Sequence, residues 1–187
     1  MNVGGIQELV NRVRQKYVDY FVLTVEELAA GCENPHASEV KFANIDSFYK
    51  GLVAVDFASN DGEPNLQFIN SDTYLRFSPD IRVQTGGLDV SISPFSWDKA
   101  DFRFDTRVLD HDLFDEWFQL WFDVDDERET AELLGNIIHS ALLSDGHLAI
   151  DFGSAKVDAF WHLLDVISKS GVRSLEIGSD DIAQPLH

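Results

Sequence analysis

A single cysteine, Cys32 in AAGCEN, leaves this chain without a disulfide framework or a thiolate metal cluster, and a reducing, cytoplasmic setting is expected. Lysine is scarce as well. Six Lys and eight Arg face 22 Asp and 11 Glu, a formal net charge of −19. Arg12, Arg14 and Lys16 form the only basic cluster. Since phosphate binding needs Lys and Arg laid along a backbone, a direct nucleic-acid partner is excluded. The apolar run Tyr20 to Val25 is too short to span a bilayer, and MNVGGIQELVNRVRQKY has no signal-peptide core, so no membrane partner is expected. No GxSxG, no glycine-rich phosphate loop and no base near Cys32 in sequence appear. Catalytic residues, metal ligands and cofactors are therefore left unassigned.

The 187 residues can bury a substantial core, and no repeat or Pro/Gly-rich linker divides them. One α+β domain over 1–187 is expected. In the helical entry, 1–50, Ile6, Leu9, Val10, Val13 and Tyr17 recur at helical spacing. Thr24 with Glu27 reads as the capping box of a second, short helix ending at Gly31. Over 51–107 the period changes to two: LVAVDF, LQFI, TYLRF, IRVQT, LDVSIS and ADFRFD alternate with turn residues, as in an antiparallel meander. Its clearest hairpin turns at Gly86-Gly87, with Ile81, Val83, Leu88, Val90 and Ile92 on one face. From 108 onward helices are expected to dominate, and HLAIDF, SAKVDAFWHLLDVISKSG and VRSLEIG read as a βαβ unit with parallel strands. One mixed sheet with helices on one side accommodates all of this.

The run DVDDE at Asp123 to Glu127 resembles the DxD start of haloacid-dehalogenase-type phosphatases, with GSDD at Gly178 to Asp181 as a later acidic motif. It follows a Trp/Phe-rich stretch of helical period rather than a buried strand, so the assignment fails. An EF-hand fails too, lacking the sixth-position glycine and the closing Glu. His111 with Asp115, and Asp158 with His162, lie four apart, but both pairs sit on polar helix faces. His139 is grouped likewise with Glu132 and Asn136 on a solvated helix face. Asp151 stands apart. It sits near the end of HLAIDF, where α/β sheets place functional carboxylates, while Ser154 is the better cap for the next helix. A cleft of Asp151 with His147 or His162 is one site expected from position, for a small enzyme or ligand-binding domain.

The other expected site is the stretch Asp110 to Glu132, with ten carboxylates and five aromatic rings. Residues 108–187 carry 17 acids and four bases, net −13, a negative field that favours basic partners. As a helix, the stretch lines up two apolar stripes where docking needs one. Either two layers of the domain sandwich it, or one row faces a partner. In the second reading Phe114, Trp117, Phe118 and Trp121 anchor an interface and Asp115, Glu116, Asp123, Asp125 and Asp126 select the partner. That describes a non-enzymatic, inhibitor- or immunity-type protein bound to a basic protein, or a homodimer. An Asp-rich, Lys-poor surface also suits a saline habitat, which would make the charge environmental.

Overall fold

A computed structural model describes residues 3–34, 36–60, 64–71, 73–85, 87–106, 108–127 and 134–179. The Glu132 end of the acidic stretch and Asp180-Asp181 of GSDD lie outside them. The architecture is α+β, with three α-helices and two sheets among the described residues. Among the described residues no helix is long and apolar enough to cross a membrane.

Neither Gly nor Pro occurs between Ile6 and Ala30, and the chain forms one helix, α1 (Val3–Ala30). The two expected helices are therefore one. Thr24 does not cap: its hydroxyl donates back to the Tyr20 carbonyl at 2.9 Å, an i−4 bond that leaves the helix intact. Ile6, Val10, Val13, Tyr17, Phe21 and Val25 form its buried stripe, packed on α3 and β2.

The expected meander is two sheets. Strand β1 (His36–Phe42), which alternation did not reveal, pairs antiparallel with β2 (Val53–Asn60), and β2 with β3 (Pro64–Gln67). Within TYLRF, Tyr74 makes only an isolated bridge to Ser96. The larger sheet has the order β4-β5-β9-β6-β8-β7, from β4 (Ile81–Thr85), β5 (Leu88–Ile92), β6 (Ala100–Phe104), β7 (Ser140–Ser144), β8 (His147–Asp151) and β9 (Ser174–Gly178). The β4-β5 hairpin keeps the expected register, with Val83 opposite Val90, and buries Leu88, Val90 and Ile92. Strands β8 and β9 flank α3 (Val157–Lys169) and run parallel as expected, but β6 lies between them, antiparallel to both. The unit is a split βαβ, so its two strands share no hydrogen bonds.

Helix α2 (His111–Phe122) starts where Asp110 accepts from the backbone N–H groups of Asp112 and Leu113, and stops at Asp123 in the left-handed conformation. It lies against α3, and the Trp117 indole donates to the Ala159 carbonyl at 3.0 Å. Beyond it the structure departs from the expected run of helices. Residues 135–139 form neither helix nor strand and lead into β7, so His139 has no solvated helix face to occupy. Its backbone joins the two sheets, donating to Asp151 O at 2.9 Å and accepting from Ala54 N at 2.8 Å.

Candidate functional site

The seam stitched by His139 is also where the chemistry gathers. In β1 and β2 the ladder runs in register on either side of Glu39 and Asp56, which face each other where it is interrupted. Glu39 adopts a positive φ of 52° there, a conformation that costs a non-glycine residue free energy and bends its side chain out of the strand alternation. Two acids opposed on neighbouring strands repel. The imidazole of His139, fully buried, lies between them: Nε2 is 2.8 Å from Glu39 Oε1, and Nδ1 is 2.7 Å from Asp56 Oδ1. Asp151, at the end of β8, brings Oδ2 to 3.9 Å from the same Nδ1. Phe21 packs on the ring from one side, with centroids 5.6 Å apart, and Gly153 from another.

Each carboxylate is tied down through one oxygen. Glu39 Oε2 accepts from Gly135 N at 2.5 Å, Asp56 Oδ2 from Ile69 N at 2.5 Å, and Asp151 Oδ1 from Gly153 N at 2.8 Å. Ser154 belongs to this framework and does not cap α3. Its hydroxyl accepts from Ile137 N at 3.2 Å and also serves Glu39, while Lys156 holds the cap position without a side-chain bond.

Burial alone would strip the proton from His139, but the charge of Asp151, the close carboxylate of Asp56 and the bond and charge of Glu39 outweigh it and hold its pKa well above the ordinary value. For Glu39, burial raises the pKa, yet the bond and charge of His139 bring it below the usual range. Asp151 goes the other way. Burial raises it, His139 pulls it down, and repulsion from Asp56 and Asp98 helps carry it to about 7. The fully buried phenol of Tyr17 is held well above 10 by burial and then by Asp151, the nearest of these charges in effect.

Asp151 links this buried group to solvent, with 23% of its side chain exposed. It lines an open cleft of about 410 Å³ on the uncovered face of the larger sheet, together with Asp56, Asp98, Lys99, Asp101 and Ala149. Phe68 and Leu142 form apolar lips, 56% and 42% exposed. Asp98 is fixed by Ser71 N at 3.1 Å and by the Ser96 hydroxyl. Among the described residues no Lys or Arg forms an ion pair with Asp56, Asp98 or Asp151.

The structure does not bring His147 or His162 to Asp151. His147 is at the other end of β8, about 13 Å along a five-residue strand, and bonds Asp101 at 3.0 Å. His162, on α3, accepts from the Trp121 indole at 3.1 Å. The partner of Asp151 is His139. Its sequence signal is the apolar company of NIIHSALL, read as a helix face because Glu132, Asn136 and His139 share helical spacing. Asp56, an acid in the middle of LVAVDF, carried a similar signal.

The aromatic helix stands differently from its expected interface role. Phe114, Trp117 and Phe118 have no exposed surface, and Trp121 is half-buried, because α3 and the 3-10 turn at Tyr49–Gly51 pack against these rings, while Leu120 and Val124 stay exposed. They are core residues, as in the sandwiched reading. Several of the acids are matched within the chain. Asp115 meets Lys50 at 2.5 Å and Gln119 at 2.7 Å, and Lys41 reaches Asp126 at 2.6 Å and Asp123 at 3.5 Å. Glu116 and Asp125 are exposed. Comparison with known protein families, with curated proteins and with solved structures finds no match to this chain.

Proposed function

We propose that this protein is a binding domain that presents the acidic cleft at Asp151, rather than the 110–124 helix, to a positively charged group on a basic protein, in an inhibitor- or immunity-type role. The observation that carries this reading is that four carboxylates, Asp56, Asp98, Asp101 and Asp151, line one concave site, and among the described residues Asp56, Asp98 and Asp151 have no Lys or Arg as an ion-pair partner, Asp56 and Asp151 sharing the single imidazole of His139. A guanidinium or ammonium entering there exchanges water for carboxylates already fixed by backbone N–H groups, so little ordering is lost on binding. Phe68 and Leu142 suit the aliphatic stem of an Arg or Lys side chain. The wider negative field of the molecule speeds the approach of a basic surface.

The test uses N-acetylarginine amide titrated into metal-free, 15N-labelled protein. The expected result is saturable shifts at Asp101, Ser140, Leu142 and Ala149, weakened by Asp101→Asn and by added salt. Shifts confined to Glu116–Asp126, or spread over all surface acids, would overturn the reading.

A further inference from the structure

The atoms left over at the seam are oriented for a ligand. His139 commits Nε2 to Glu39, Asp56 commits Oδ2 to Ile69 N, and Asp151 commits Oδ1 to Gly153 N. Of the remaining atoms, Nδ1 lies 2.7 Å from Asp56 Oδ1 and 3.9 Å from Asp151 Oδ2, and one ligand atom from each of the three residues lies within 4.8 Å of the others. His139 Nδ1 and Asp56 Oδ1 are only 2.7 Å apart, yet they are misaligned and make no hydrogen bond, and both are buried. With Nε2–H donated to Glu39, Nδ1 faces two carboxylate oxygens; it carries a proton in the metal-free protein, and a metal ion would displace that proton and take up the Nδ1 lone pair. Lone pairs converging in a buried site require a cation among them. A proton on Nδ1 makes no aligned bond to Asp56 Oδ1 and lies too far from Asp151 Oδ2, 3.9 Å from the nitrogen, to bond it; an ion between the three would satisfy them all.

The geometry points to a divalent first-row metal ion bound by His139 Nδ1, Asp56 Oδ1 and Asp151 Oδ2, with Glu39 holding the imidazole from behind. Ligand bonds of about 2.0–2.2 Å need only a few tenths of an ångström of closure across this spread. A carboxylate on the far nitrogen of a ligating histidine is the usual outer support of such sites, fixing the tautomer and raising basicity. One imidazole with two carboxylates suits Mn²⁺, Fe²⁺ or Zn²⁺ better than Ca²⁺ or Mg²⁺, which favour all-oxygen shells. The cleft gives the ion an entry path past Asp151, and room for water or an added ligand on its open side. The inference rests on the cleft being the functional site but does not need its partner. An ion here balances Asp56 and Asp151 and leaves Asp98 and Asp101 at the cleft wall.

The experiment takes the full chain, stripped with chelator, and titrates Mn²⁺ and Zn²⁺ by calorimetry. One equivalent of either ion is expected to bind, Zn²⁺ more tightly, with a higher melting temperature. Pulsed EPR of the Mn²⁺ form is expected to show coupling to a histidine nitrogen. Asp151→Asn keeps the bond to Gly153 N within reach and leaves the buried pair intact; Glu39→Gln removes the support. Glu39→Gln should weaken binding by roughly 10–100-fold and Asp151→Asn by at least as much. Asp101→Asn, at the cleft wall, should lower arginine binding and leave the metal affinity unchanged, so the two readings fail separately. Absence of stoichiometric binding, bound Mn²⁺ without nitrogen coupling, affinity unaltered by Asp151→Asn, or 15N NMR showing His139 protonated on both nitrogens in excess Zn²⁺ would each overturn the metal assignment.

Discussion

Gly153 shows how closely the site is built. A Cβ there would lie 2.1 Å from His139 Cδ2, and its φ of +48° is one that L side chains rarely adopt. Gly153→Ala must move the imidazole or the loop and also bear the left-handed strain. The expected loss is about 2–5 kcal/mol, the sum of typical overpacking and left-handed costs, read as a lower urea midpoint at unchanged m-value. A variant as stable as the parent would mean that the ring is not held against this backbone. At this scale, Asp151 could be singled out because strand-end position is a local property. Glu39 and His139 could not. They lie 100 residues apart, and nothing in HASEVKF or NIIHSALL states that one strand's acid will meet the other segment's imidazole.

Helix α2 was legible as a helix, down to its start at Asp110, because capping and the 3.6-residue period are local. Which of its stripes faces outward depends on what lies above and below it. Trp117→Ala or Phe118→Ala should cost about 3–5 kcal/mol, as for large aromatic side chains in a core, whereas Leu120→Ala, half exposed, should stay within about 0.5 kcal/mol. Urea denaturation of the three variants separates core from interface; small losses at Trp117 and Phe118 would return them to the surface. In α1 the Thr24–Glu27 spacing suggested a boundary, yet a threonine hydroxyl has two local partners to choose from. With an uninterrupted apolar stripe to bury, the i−4 carbonyl won.

For the whole molecule the net charge of −19 acts as self-repulsion against the folded state. The screening length falls to about 10 Å at 0.1 M salt and about 3 Å at 1 M. Melting temperature should therefore rise as NaCl is added to dilute buffer and level off by about 0.2–0.3 M, since part of the acidity is already matched by Lys41 and Lys50 and the buried cluster is shielded from solvent. A steep climb continuing to molar salt would instead mark the acidity as an adaptation to a saline habitat.

The α+β class, the β4-β5 hairpin, α2, α3 and the parallel sense of β8 and β9 follow from the sequence by itself, because period, caps and turns act over a few residues. The acidity and its concentration after residue 107 are equally plain in it. Only the tertiary structure decided that β6 enters the split βαβ unit, that the aromatic helix is core, and that Glu39, Asp56 and Asp151 converge on His139. The reason is physical: strand order and burial are set by long-range packing, where one register brings distant acids around a single imidazole, and no local pattern records which distant segment will arrive.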